Sequence, residues 1–146
     1  MNQLSSTSTR LVCDPESVIC LGDVANARSG DKGNHGNIGV IAYSLAGFEY
    51  LRQELTSERV GNFFSGLGIT RTERFELPRL WALNFMLYDA LAGGASQSLR
   101  IDTQGKLLGT AILELELPRP PNLNDMLRRP NASGLTSAST PSRSRL

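Results

Sequence analysis

Apolar and polar positions fall into blocks along this chain, and the blocks differ in period. Val18-Ile19-Cys20-Leu21 opens an apolar run that predicts a strand continuing toward Ala27, with Cys20 as a small core residue on it. Ile38-Gly39-Val40-Ile41-Ala42-Tyr43 predicts a second strand, apolar enough to be buried on both faces. Phe48, Leu51 and Leu55 then recur at helical spacing. Thr56 suits the cap of a second helical piece, in which Val60, Phe63, Phe64 and Leu67 fall at i, i+3, i+4 and i+7. Gly66 and Gly68 end that piece. The stretch from Ile69 to Leu77 alternates as a strand with Phe75 and Leu77 on one face, and Pro78 stops it. Leu80 to Leu91 is apolar nearly all round; it predicts a deeply buried helix across the sheet, ended by Gly93-Gly94. Ser96 to Ile101 predicts another strand, and Asp102-Thr103-Gln104-Gly105 a tight turn. In the last predicted strand, Lys106 to Leu117, the residues Leu107, Gly109, Ala111, Leu113, Leu115 and Leu117 share one face, and Glu114 and Glu116 the other.

The predicted order is β-β-α-β-α-β-β. Two helical segments and a mostly antiparallel sheet make an α+β two-layer sandwich. No internal repeat is present. The folded unit is expected over 17–118, between a flexible N-terminal segment at 1–16 and a disordered tail at 119–146 rich in Pro, Ser and Arg.

Composition narrows the class. The 146 residues suit one domain, and a 40% apolar share is compatible with a modest core. A net charge of +1 provides no large field to draw nucleic acid or a membrane surface. Cys13 and Cys20 are too few for a disulfide scaffold. No run approaches a membrane span, and the N-terminus has no signal-peptide h-region. A soluble cytoplasmic protein is expected.

Candidate chemistry is concentrated in Arg28-Ser29-Gly30-Asp31-Lys32-Gly33-Asn34-His35-Gly36-Asn37-Ile38-Gly39. Glycines let a ligand approach the main chain, successive N–H groups can cradle an anion, and Arg28 and Lys32 add charge-assisted donors. The segment is no P-loop and no dinucleotide fingerprint, because a strand follows it and not a helix. Gly30-Asp31-Lys32-Gly33 has the spacing of a nucleic-acid-clamping GXXG loop, but it does not join two helices. An internally bonded loop with Asp31 paired to Lys32 or Arg28 is the structural alternative. His35, the single histidine, reads as an exposed loop residue; no zinc ligand set or other metal site and no Gly-x-Ser-x-Gly elbow accompanies it. Asn84 interrupts the apolar run and needs a partner, either in the glycine-rich segment, in a ligand held there or in nearby main chain. Arg100 and Asp102 point away from the apolar face, as an ion pair or as part of the same cleft. Trp81 and Tyr88 read as core packing. No cofactor is called for.

Ala27-Arg28-Ser29-Gly30-Asp31-Lys32-Gly33, Asn37-Ile38-Gly39-Val40, Leu55-Thr56-x-Glu58-Arg59-Val60, Leu83-Asn84-Phe85, Gly93-Gly94, Ser98-Leu99-Arg100 and Gly105-Lys106 together resemble the AtuA-related family. The likeness is to the C-terminal ferredoxin-like domain of acyclic terpene utilisation proteins, over almost all of residues 20–115. One departure lies at Asn34-His35-Gly36, where relatives often carry an acidic or hydroxyl residue. The resemblance implies a ferredoxin-like sandwich, a large AtuA-like partner chain or self-association, and a setting in branched or terpenoid acyl-CoA catabolism. Two readings stay open. In the first, the chain is the small subunit of a two-part enzyme acting on an acyl-CoA or other carboxylate. Arg28, Ser29, Gly30, Lys32, Gly33, Asn34 and Asn37 would then hold the anion, Asn84 and Arg100 complete the cleft, and Asp31 act as acid or base. In the second, it is a non-catalytic homo-oligomeric module that stabilises a larger partner.

Overall fold

The computed structural model describes residues 16–91 and 106–130. The chain begins with β1 (Val18–Cys20), makes one helical turn, α1 (Leu21–Val24), and enters the hairpin β2 (Ala25–Lys32) and β3 (His35–Ala42). Helices α2 (Leu45–Glu54) and α3 (Ser57–Phe63) follow, then the hairpin β4 (Arg71–Leu77) and β5 (Ala82–Tyr88). After residue 106 come α4 (Leu108–Ile112) and β6 (Glu116–Pro118). All described pairings are antiparallel: one sheet has the order β2-β3-β5-β4, and β1 pairs with β6 in a second. This is an α+β two-layer sandwich, as the sequence predicts.

Local chemistry accounts for the element ends. Ser44 and Thr56 cap α2 and α3, their hydroxyls accepting from the N–H of Gly47 and of Arg59. Gly68 takes φ +72° after a 3₁₀ turn at Ser65–Leu67. Gly33 has φ +65° at the first of the two residues joining β2 to β3, while Asn34 does not, the pattern of a II′ hairpin turn. The core lies between the helices and one sheet face, with Ile38, Val40, Leu83, Phe85 and Leu87 meeting Phe48, Leu51, Leu55 and Val60.

Four expectations are corrected. Leu80–Leu91 is no helix. Pro78–Leu80 forms a 3₁₀ turn, Trp81 follows at φ +50°, and Ala82–Tyr88 is β5. Its buried residues Leu83, Phe85 and Leu87 recur with period 2 under the helices, and Asn84, Met86 and Tyr88 lie half-buried on the other face. Because β5 is flanked on both sides by strands, all its main-chain groups are satisfied without a helix. Trp81 and Tyr88 are accordingly not core: Trp81 is exposed, and Tyr88 lies between His35 and the Arg71 guanidinium. Lys106–Leu117 is no continuous strand either; its buried Leu108, Gly109 and Ile112 keep helical spacing on α4. Finally, Leu21–Val24 breaks the first predicted strand into β1 and β2, since Leu21 and Gly22 donate back to the carbonyls of Leu115 and Leu113. The predicted strand at 96–101 lies outside the described residues. Packed chain continues past residue 118, with Met126 buried in the core and Ser44 Oγ donating to the Asp125 carbonyl.

Candidate functional site

The glycine-rich segment is the far half of the β2–β3 hairpin and not a loop. Arg28 faces Gly39, Gly30 faces Asn37, and Lys32 faces His35. Directly paired residues share a face, so rows can be followed across the sheet. On the face away from the helices, one row is Lys32, His35, Tyr88, Arg71; the next is Gly30, Asn37, Met86, Glu73; the third is Arg28, Gly39, Asn84, Phe75. Every residue of the segment with odd spacing from these turns toward the helices instead.

Two glycines leave a gap in that open face. A Cβ on Gly30 would meet nothing within 4 Å, and one on Gly39 would come no closer than 3.9 Å to any neighbour. Neither has the positive φ that would demand glycine. Mid-strand glycine weakens a strand and marks close approach of another group. Gly36 and Gly33 differ. A Cβ at Gly36 would fall 2.7 Å from Leu108 Cδ1, and Gly33 needs its φ. The missing side chains at 30 and 39 form the floor of a shallow depression of about 360 Å³, lined by Arg28, Ser29, Gly30, Asp31, Lys32, Asn37 and Gly39. Among the described residues, neither Arg28 nor Lys32 is in an ion pair, and Asp31 pairs with neither. The depression therefore sets two uncommitted cations beside a bare backbone floor, and Asp31 between them turns its side chain to the other face.

Residues 19–118 match the model of the AtuA ferredoxin-like domain. The chain belongs to this family. No curated protein and no solved structure matches it significantly. In this AtuA ferredoxin-like domain the residues singled out from sequence separate into two groups. Arg28, Gly30, Asp31, Lys32 and Asn37 border one hollow, and Asn84 stands opposite Gly39 with its Oδ1 4.0 Å from where a Cβ on that glycine would be. The Asn37 amide donates to Met86 Sδ at 3.1 Å and to the Phe85 carbonyl at 3.4 Å, which fixes its orientation. Ser29 is committed elsewhere: its hydroxyl donates to the Lys106 carbonyl at 2.9 Å and accepts from Gly109 N–H at 2.6 Å, tying α4 to β2. Asn34 and Gly33 form the turn, and Asn34 Nδ2 donates to Asp89 Oδ1 at 2.8 Å. Arg100 lies outside the described residues.

Sequence reasoning passed over Asp89 and Thr70. Asp89 has φ +61°; its carboxylate accepts from Thr70 Oγ1 at 2.6 Å as well as from Asn34, and its N–H donates to His35 Nδ1 at 3.0 Å. These bonds, that from Thr70 first, hold the Asp89 carboxyl below its ordinary range. A bond accepted at Nδ1 places the proton of neutral His35 on Nε2. The knot pins the hairpin tip to the end of β5, so His35 has a structural place. A left-handed non-glycine just after an apolar run gave no sequence signal. Among the described residues, no group of three or more His, Cys, Asp or Glu side chains is placed to hold a metal ion, and no helix is long and apolar enough to cross a membrane.

Proposed function

We propose that this domain is the small subunit of an AtuA-like two-part enzyme and that its open sheet face binds the anionic part of an acyl-CoA or related carboxylate substrate. The observation that carries this reading is the pair of glycines, Gly30 and Gly39, which neither packing nor φ requires and which bare the main chain between Arg28 and Lys32. A guanidinium and an ammonium beside an open backbone favour a carboxylate or phosphate through charge-assisted bonds. Asn37 and Asn84 supply neutral amides at the inner edge, while Asp31, paired with Gly36, carries its side chain on the other face of β2. A hollow this shallow buries only the anionic group; a larger AtuA-like chain would cover the rest and bring the remaining chemistry.

The test is calorimetric titration of the purified chain, alone and with the AtuA-like chain from the same source, using a branched acyl-CoA thioester. The thioester binds the wild type. Lys32→Ala weakens binding about tenfold, the scale of one charged hydrogen bond, with unchanged circular dichroism. Equal affinity in wild type and Lys32→Ala contradicts the reading.

A further inference from the structure

The same open face changes character along the strands. Its far end, away from the hairpin tip, carries no charge on the sheet: Ile41 faces Ala82, Ala82 faces Leu77, and Phe75 lies one row nearer the cations. Ile41 is 49% exposed, Phe75 48% and Leu77 43%. The turn between β4 and β5 extends this strip. Turn positions ordinarily take Gly, Asn, Asp or Ser; here Leu80 is 65% exposed and Trp81 41%. Trp81 has φ +50°, a conformation costly for a bulky residue, held by its N–H donating to the Pro78 carbonyl and its carbonyl accepting from Ala42. The indole is therefore presented at the surface by ordered backbone. Leu45, also exposed, lines a depression with it.

We infer that this apolar end of the sheet is the contact of a two-fold dimer with a second copy of the chain. The six exposed side chains amount to roughly 600 Å², at the top of what a monomer leaves uncovered and close to the ~800 Å² that each partner contributes to a standard interface. The centre of the strip is uncharged, and its rim carries both signs, with Arg79 at the turn and Arg129 beside Asp125. Such a surface complements itself, as an isologous contact requires, and selects neither an acidic nor a basic partner. Trp and Leu held by rigid backbone lose little entropy on burial. The cation-lined hollow lies toward the hairpin tip and meets the strip at the row of Arg28, Gly39, Asn84 and Phe75, while the contact is centred on the β4–β5 turn beyond it.

Trp81 is the only tryptophan, which makes its emission a direct report of this surface. The experiment follows the full chain from sub-micromolar to sub-millimolar concentration by sedimentation velocity and by fluorescence. Wild type passes from monomer to dimer, and Trp81 emission shifts to the blue over the same range. Leu80→Glu, at a turn position where it disturbs no packing, raises the dimer dissociation constant about thirtyfold or more, the scale of an interface hot spot, and keeps the emission red. Phe63→Glu, an exposed apolar site on the helical layer, leaves the dimer intact. A wild type that stays monomeric, with red emission throughout, overturns the inference and assigns the strip to another chain. Dissociation by Phe63→Glu, or a dimer indifferent to Leu80→Glu, places the contact elsewhere and overturns it equally.

Discussion

Gly30 and Gly39 stand where a strand gains from almost any other side chain. Alanine at either site meets no neighbour closer than 3.9 Å, so Gly39→Ala is expected to keep or raise the melting temperature, by up to about 1 kcal/mol of stability. Gly39→Val is expected to keep the fold and abolish acyl-CoA binding, because its methyls fill the floor of the hollow. A stable Gly39→Val variant with wild-type affinity would show that the glycines serve no ligand. Ser29 makes the opposite case. Ser29→Ala leaves Gly109 N–H without its partner, and thermal or urea unfolding should show a loss of about 1–3 kcal/mol while the cations of the hollow stay in place. Asp89 adds a pH dependence. Its folded carboxyl titrates below the ordinary value, so its contribution to stability is complete above the unfolded range, near pH 3.9, and disappears as the pH falls through the folded value. Asn tolerates the left-handed conformation at this position. The stability advantage of wild type over Asp89→Asn should therefore be constant above about pH 5 and shrink below it in pH-resolved melting curves. The sequence pointed to the cations and glycines of this segment because their chemistry is local. It did not separate Ser29 from Arg28, since which face each residue takes depends on hairpin register.

At the scale of elements, the helical layer was legible where its signals lay within one turn. The Thr56 cap, the spacing of Phe48, Leu51 and Leu55, and the stop at Pro78 all appear as the sequence predicts. The run from Leu80 to Leu91 misled because continuous apolarity carries no period, and its Leu, Ala and Met residues favour helix. What makes it a strand is non-local: β3 and β4 flank it on both sides. The segment after Lys106 misled for a related reason. Alternate leucines read as a strand, but Gly109 lets α4 approach β2 so closely that a Cβ there would lie 2.9 Å from the Arg28 carbonyl carbon and the Ser29 nitrogen. Gly109→Ala should push α4 off the strand and destabilise the domain by about 1–3 kcal/mol in chemical denaturation. Because α4 braces the back of β2, the same change should also loosen the hollow on its front and weaken ligand binding. A further pH dependence belongs to the junction of α2 and the chain end. The Tyr50 hydroxyl donates to the Pro118 carbonyl, and burial, then Glu54, pushes its pKa up to about 12. Its contribution is present below pH 10 and lost as pH rises toward 12, so Tyr50→Phe should flatten the alkaline limb of the stability curve.

For the molecule as a whole, the two layers divide the work. Helices cover one sheet face and build the core; the other face stays open and grades from cationic at the hairpin tip to apolar at the β4–β5 turn. Family membership fixes the class of domain, and the geometry of this face supports a ligand at one end and a protein contact at the other. The most direct measurement is a ¹⁵N-resolved nuclear magnetic resonance titration of the full chain with a branched acyl-CoA thioester. The account predicts shifts concentrated at Arg28, Gly30, Lys32, Asn37, Gly39 and Asn84, with the helical layer unmoved. Saturation without movement of the Gly30 and Gly39 amides, or shifts confined to the helices, would contradict it.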